Sequence, residues 1–537
     1  MSHAGLPNFA DLRFLIVDDF HGMRSMLRDM LRDAEAKHID TAMHGTEAIG
    51  LLRNHKYDVV LCDFNLGDGK NGQQLLEEAK ITHLIGPACA WIMITAEKTT
   101  EAVMGAVEYQ PDGYLLKPIT AAQLQTRLEK IWVKKRAFQE IDRALSAKDY
   151  LAAIHQCDQR IAIDKVNASE LMRLKSQLLL TIGDTDRARA LYEQVLAQRD
   201  LPWARTGLAK VHFQAGEYDQ AAGLLRQVID ENRAYLEAYD WLARTLQKQG
   251  DVQEAAQVLE RAAKLSPNSP ERQKNLGELA LLRGDVEAAE KAFRKSMVVG
   301  EHSVLKTPDA YLGYARVCSK KQQPGDAVKA LGVLQKHFDS DEVRLRAKAT
   351  EGMVYRDNHD EAKARQVAQE VVTLLENSEG KASGKAGLEA AELLLATGNK
   401  DAAVSLLQSV VRNNHDDQDL VGKVQQAFDS AGMAEEGARL VASSRKEAVD
   451  MMNTGVLLAR EGKLGEAVEW MRNARAAMPS NVRVLFNFAH VALMSLQKQG
   501  HDEALVREVR LALSQANKLA PGDKRHAQLS SQLASLG

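Results

Sequence analysis

Five side chains sit where short apolar runs end, and their types point to one kind of chemistry. Asp63 closes the run Tyr57-Asp58-Val59-Val60-Leu61-Cys62, and a glycine-rich turn, Gly67-Asp68-Gly69-Lys70-Asn71-Gly72, follows it. Asp18 and Asp19 close Arg13-Phe14-Leu15-Ile16-Val17, Thr95 closes Ala90-Trp91-Ile92-Met93-Ile94, and Lys117 closes Tyr114-Leu115-Leu116 just before Pro118. Three carboxylates brought together raise one another's pKa unless a cation lies among them. A hard divalent ion with oxygen ligands, Mg²⁺, resolves that conflict. Lys117 supplies a positive charge and Thr95 a hydroxyl donor for the equatorial oxygens of a phosphoryl group, with Asp63 as the in-line nucleophile that forms an acyl phosphate. The five are read as one phosphoryl-accepting site.

For that site to exist, the runs must be neighbouring strands. Each is a short apolar stretch bounded by turn residues, as buried parallel strands are, and ligands of open α/β sheets lie at the carboxyl ends of the strands. Amphipathic stretches alternate with them: Met23–Leu31, the segment after Gly45, Gln73–Lys80, Thr99–Val107, and a helix from Thr120 onward. A weaker strand spans His38–Met43. Five β-α units imply a doubly wound, five-stranded parallel sheet covered on both faces by helices. Taken singly the residues have plainer uses: an Asp-Asp pair can cap the next helix, and a lysine before proline can be a solvated loop residue.

Taken together, Asp18-Asp19, Asp63, Thr95-Ala96 and Lys117-Pro118 resemble the site of response-regulator receiver domains of two-component signalling, a flavodoxin-like fold. The intervals fit as well, 44 residues from Asp19 to Asp63 and 22 from Thr95 to Lys117. The resemblance covers about the first quarter of the chain. It implies Mg²⁺ bound by Asp19, Asp63 and the Asn65 carbonyl, with Asp18 acting through water. It also implies that Thr95 and Lys117 hold the phosphoryl group and that Thr95 and Tyr114 form the conformational switch. Asn65 and Glu97 occupy the positions that tune loss of the phosphoryl group. Their pairing is similar to chemotaxis-type receivers, which implies a short-lived phosphoaspartate. A histidine kinase or histidine phosphotransfer protein would be the donor.

A chain of 537 residues exceeds one core. With 27% charged residues and a net charge of −3, it shows no general attraction to nucleic acid. Its four cysteines form no CxxC pair, which argues against a zinc site or disulfide framework. Neither a signal peptide nor a membrane-length apolar stretch is visible, so the expected location is cytoplasmic. From Ala121 to Tyr150 no glycine or proline interrupts the sequence. A long helix, or two closely stacked helices, is therefore expected to join the domains stiffly. The cluster Lys130, Lys134, Lys135 and Arg136 is read there as a solvated face.

Beyond the junction the sequence repeats. Gly183, Gly216, Gly250 and Gly284 stand 33, 34 and 34 residues apart. Small residues lie seven before each (Ser176, Ala209, Ala243, Gly277) and five after (Ala188, Ala221, Ala255, Ala289). Large ones lie nine after (Tyr192, Leu225, Leu259, Phe293), and Gly398 and Gly462 renew the scheme. Glycine would serve the tight turn between antiparallel helices, small residues let the pair approach, and the large residue fills the space against the next pair. This is similar to the tetratricopeptide repeat. Lys148, Gly432 and Gly500 would mark weaker turns, Pro324-Gly325 and Asn358 irregular ones, and roughly eleven pairs result, with His526–Leu536 as a cap. Gly380–Ala386 departs from a phosphate loop in spacing and lacks its Ser/Thr, so it reads as a helix connection. Cys157 is expected in the core, and Trp203, Trp241 and Trp470 between helices.

The expected organisation is thus a receiver over 1–133 and an all-α helical-repeat solenoid over 134–537. The expected function is an adaptor whose protein contacts are set by phosphorylation at Asp63, rather than an enzyme with a separate catalytic output. The alternative is a scaffold whose degenerate receiver never carries phosphate. A DNA-binding regulator would need a basic recognition helix where the repeat stands. Pairing of receivers through the switch face leaves a homodimer open.

Overall fold

A computed structural model describes residues 9–96, 111–377, 382, 384–500, 502–520, 523–534 and 536. The chain divides into two compact units, Met1–Leu180 with Asp184–Ala310, and Thr181–Gly183 with Tyr311–Gly537. No helix among the described residues is long and apolar enough to cross a membrane.

The first unit opens with the sheet. Its strands are β1 (Arg13–Val17), β2 (His38–Ala42), β3 (Val59–Asp63), β4 (Ala90–Thr95) and β5 (Gly113–Leu116). All pair in parallel in the order β2-β1-β3-β4-β5. Strand side chains alternate between faces, and each face builds its own core. On one face Phe14, Ile16, Leu61 and Ile92 pack against Leu27 and Leu31 of α1 (His21–Asp33). On the other, Leu15, Val17, Val60 and Trp91 pack against Ile49 of α2 (Gly45–Asn54) and Leu75 of α3 (Gly72–Ile81). Burying each such side chain contributes about 1.5–3 kcal/mol, so the register that aligns β1, β3 and β4 is strongly specified. The helix expected at Thr99–Val107 lies outside the described residues.

After β5, α4 (Ala121–Lys135) starts at a Thr120–Gln123 capping box and adds Leu124, Leu128 and Ile131 to the first face. The junction is not one straight helix. A 3₁₀ turn, Arg136–Phe138, separates α4 from α5 (Gln139–Ser146), and Lys148 at φ 57° turns the chain again. Lys135 also departs from the solvated-face reading. It is 8% exposed, pairs with Asp112 at 2.8 Å and donates to the Pro87 carbonyl at 2.9 Å, while Lys134 pairs with Glu170 at 2.5 Å. The acceptors lie far away in sequence, so charge clustering alone did not disclose them.

Helix pairs follow. Gly183, Gly216, Gly250 and Gly284 turn them at φ 74°, 79°, 86° and 76°, a conformation glycine adopts without cost. The Asp that follows three of these glycines caps the next helix: Asp184, Asp251 and Asp285 accept from the N–H groups of Arg187, Glu254 and Ala288. A Cβ on Gly277 would lie 2.7 Å from the Phe293 ring. The large residue therefore fills the gap left by the small residue of its own pair here, whereas the Tyr192 ring abuts Gly207 of the next pair, as expected. Cys157 is fully buried, and Trp203 and Trp241 pack edge-on against Tyr192 and Phe213.

The second unit continues the scheme with two departures. Its early turns fall at Gln322 (φ 58°) and His359 (φ 63°), while Pro324 opens the helix Pro324–His337 and Asn358 ends the helix Asp341–Asp357. Gly398, Gly432, Gly462 and Gly500 turn later pairs, but one 27-residue helix, Ala434–Arg460, runs unbroken between two of these turns. Gly384 opens the helix Gly384–Ala396, whereas Gly380, Lys381 and Ser383 lie outside the described residues. Trp470 is 40% exposed and donates to the Met451 carbonyl at 2.9 Å. The terminal helix Lys524–Ala534 packs on the two helices before it.

Buried Glu389 joins three helices of this unit: it accepts from Arg346 at 2.8 and 3.1 Å and from Arg316 at 2.8 Å. Burial pushes its carboxyl pKa up, but the two guanidiniums outweigh that and hold it below 4.5. A carboxylate with a depressed folded pKa adds stability above its unfolded value and loses it as pH falls through the folded one. Glu389→Gln should therefore cost about 3 kcal/mol near neutral pH. Calorimetric scans of the full chain should show the gap to wild type closing below pH 4.5. A gap independent of pH contradicts this.

Candidate functional site

β1, β3 and β5 all end at the same edge of the sheet, and this is what assembles the site. Asp18 follows β1, Asp63 ends β3, and Lys117 follows β5. Asp18 is 1% and Asp63 7% exposed, while Asp19 faces solvent. One carboxylate oxygen from each of the three lies within 4.8 Å of the others. The Lys117 ammonium reaches two of them, Asp63 Oδ2 at 2.7 Å and Asp18 Oδ2 at 3.1 Å.

The backbone around these groups is pinned. Asp18 Oδ1 accepts from the Phe20 N–H at 2.9 Å, and Phe20 takes the N-cap position of α1 without a side-chain cap. The acidic pair therefore does not cap that helix. Arg24, 7% exposed on α1, donates to the carbonyls of Asp18 at 2.7 Å and Asp19 at 3.0 Å. Its role was invisible in sequence, where it is one more charge in an amphipathic stretch. On the β3 side, the Gly72 N–H donates to the Phe64 carbonyl at 2.8 Å, and a Cβ on Gly72 would overlap the Asp63 carbonyl. Thr95 is buried at the end of β4, and its carbonyl accepts from the Lys117 N–H at 2.9 Å. Asn65 is exposed in the turn, its side chain accepting from the Gly67 N–H at 3.3 Å. Tyr114 lies beside Met93 in the sheet, and among the described residues its buried hydroxyl has no hydrogen-bond partner. Glu97 lies outside the described residues.

Electrostatics follow from this layout. Burial raises the Asp63 pKa, Lys117 pulls it back, Asp18 raises it again, and the net shift is upward. For Lys117, burial opposes the charge, but Asp63 and Asp18 outweigh it and lift the ammonium above its ordinary value. Burial, then the charges of Asp63 and Asp18, push the neighbouring Cys62 thiol well up, so it stays protonated. Among the described residues, three carboxylates face one ammonium, which leaves a surplus of negative charge, with each like pair costing on the order of 3 kcal/mol. A divalent cation would balance that surplus, and an all-oxygen donor set at this spacing fits Mg²⁺.

A second feature lies apart from the first. In the second unit a groove of about 750 Å³ is lined by Arg316, Lys320, Asp357, Lys385, Glu389 and Lys423, among others.

The fold is a five-stranded parallel α/β domain followed in the chain by helical repeats. Residues 14–129 match the response regulator receiver domain, and residues 179–244 and 241–296 match tetratricopeptide repeats. Over 126 residues the chain is 35% identical to the chemotaxis protein CheY-3 of Vibrio cholerae, covering 23% of this chain and 92% of that one. Over 125 residues it is 33% identical to the chemotaxis protein CheY of Pseudomonas aeruginosa, covering 22% and 96%. Two solved structures resemble parts of it. A CheY-like receiver domain protein from Methanospirillum hungatei is 24% identical with a TM-score of 0.22, over 23% of this chain and 96% of that one. A tetratricopeptide repeat protein from Parabacteroides merdae is 14% identical with a TM-score of 0.35, over 55% and 98%. The chain belongs to the response regulator receiver family and bears tetratricopeptide repeats behind its receiver.

Gly72→Ala should displace the Asp63 backbone, because the added methyl overlaps that carbonyl. The expected result is a loss of about 2 kcal/mol in chemical denaturation of the full chain. Unchanged stability would mean that α3 can shift without cost.

Proposed function

We propose that Asp63 accepts a phosphoryl group and that this modification sets which proteins the repeats bind. The observation that carries the reading is Lys117 reaching Asp63 and Asp18 while Asp19 completes a cluster within 4.8 Å. In the transfer, Asp63 Oδ attacks phosphorus, the bond from phosphorus to the donor's imidazole nitrogen breaks, and the imidazole leaves with that electron pair. The donor is a histidine kinase or histidine phosphotransfer protein.

Each residue has a task in that step. Asp19, Asp63 and the Asn65 carbonyl hold Mg²⁺, with Asp18 acting through water, since both its oxygens already accept hydrogen bonds. The ion, when bound, neutralises charge on the transferring group. Lys117 is already placed on the Asp63 oxygen, so it needs little reorganisation to follow the charge onto the phosphoryl oxygens. Thr95 turns toward them, and Tyr114, whose buried hydroxyl has no hydrogen-bond partner among the described residues, rotates into the space that Thr95 vacates. Asn65 and Glu97 set how fast water removes the group. We place the receiver at 1–133 and the repeats at 134–537, in the cytoplasm. The second unit's groove is a surface for protein partners, and apart from its own phosphoryl chemistry the chain is no enzyme.

Incubation with Mg²⁺ and a small phosphodonor should add one phosphoryl mass to the intact protein and none to Asp63→Asn. Lys117→Ala should slow uptake by about 10²-fold, as loss of one preorganised charge does. No uptake by wild type would leave the scaffold reading in its place.

A further inference from the structure

Within the first unit, α3 begins at the phosphoryl site and lies against a segment more than two hundred residues away in sequence. Gln74 does two jobs at once. Its side-chain carbonyl accepts from the Asn71 N–H at 3.1 Å, closing the capping box that ends the Asp63 turn, and its amide donates to the Val299 carbonyl at 3.2 Å. One turn on, Glu77 accepts from the Ser303 hydroxyl, and both residues are buried, at 3% and 7% exposure. The Ser303 oxygen is fixed in turn by the Leu305 N–H at 3.0 Å. Glu78 pairs with Lys70, a residue of the turn itself.

Every link between Asp63 and this contact is short. The first residue of α3 rests on the Asp63 carbonyl and donates to Phe64, so the turn and the helix start cannot move independently. The clasp is closed while Lys117 holds an unmodified Asp63 carboxylate. Its bonds are polar, and interdomain contacts of that kind open readily. Elsewhere among the described residues, the sheet domain meets the following helices beside the covalent junction, where Asp142 sits against Gly86 and Lys56 donates to the Ser146 hydroxyl at 2.6 Å.

We propose that phosphorylation of Asp63 opens the clasp between α3 and residues 299–305, freeing that segment and the Gln74–Glu77 face of α3. This rests on the phosphoryl-acceptor reading above and specifies its output. When the phosphoryl group draws Lys117 away and the turn reshapes around it, the start of α3 shifts, and the bonds to Val299 and Ser303 lose their geometry.

Hydrogen exchange by mass spectrometry on the full chain tests this. With Mg²⁺ and beryllofluoride, peptides over 72–81 and 299–307 should exchange about tenfold faster, the ratio one charge-assisted hydrogen bond controls. Ser303→Glu, which sets a second carboxylate against Glu77, should give the same rise without beryllofluoride while β1 and β3 keep their protection. Ser303→Ala, a milder change, should give a smaller rise. If neither variant alters exchange in these peptides, the clasp does not hold the segment and the proposal falls. If the variants do but beryllofluoride does not, in protein shown by intact mass to accept phosphoryl, the clasp is static: the proposal falls and the acceptor reading stands. Absence of phosphoryl uptake overturns both, and is read in mass rather than in exchange.

Discussion

The burial of acidic groups beside a single lysine governs this domain. Asp18 and Asp63 are removed from water at one edge of a parallel sheet, Asp19 stands beside them, and the Lys117 ammonium reaches into the group. Such an arrangement is costly unless the negative charge is answered, and ordinary folding gives no reason to build it. The rest of the domain holds it in place. Two apolar faces fix the strand register, Arg24 ties down the backbone of the acidic pair, and Gly72 lets α3 press against the Asp63 carbonyl. The site is a concentration of negative charge held in place by a well-packed sheet.

Most of this was legible in sequence because strands that end on charged residues announce a sheet edge. The spacing of Asp19, Asp63, Thr95 and Lys117 then brings them to the same edge once the strands run parallel. What could not be read were contacts whose partners lie far apart. Arg24 and Lys135 look like surface charges, yet one supports the acidic pair and the other is buried against Asp112 and Pro87. Gln74 and Glu77 look like the polar side of an amphipathic helix, and only the fold brings Val299 and Ser303 to them. The junction was half-legible: absence of glycine and proline spoke for helix, but the 3₁₀ turn at Arg136–Phe138 follows from packing.

The repeats show the same division. Glycine marks turns well because the left-handed backbone is nearly free for it, so Gly183 through Gly284 gave the period directly. Where Lys148, Gln322 and His359 take that conformation, the cost is about 1–2 kcal/mol each. Surrounding helix packing meets that cost, and the signal fades although the architecture persists. This is why the glycine signal fails at Gln322 and His359, where the turn conformation is kept all the same. Conversely, the run from Ala434 to Arg460 lies between turn glycines only 30 residues apart, Gly432 and Gly462, and forms one helix with no proline to break it. The groove of the second unit, with acids and bases interleaved, is lined by residues between Arg316 and Lys423.

The central claim is that these carboxylates and Lys117 form one metal-assisted acceptor. A crystal structure of the full chain grown with Mg²⁺ and beryllofluoride tests it most directly. The account predicts beryllofluoride on an Asp63 oxygen, the metal among Asp19, Asp63 and the Asn65 carbonyl, and Lys117 turned onto a fluorine. Asp63 left bare, with Lys117 still bridging it to Asp18 and no ion among the three carboxylates, would contradict it.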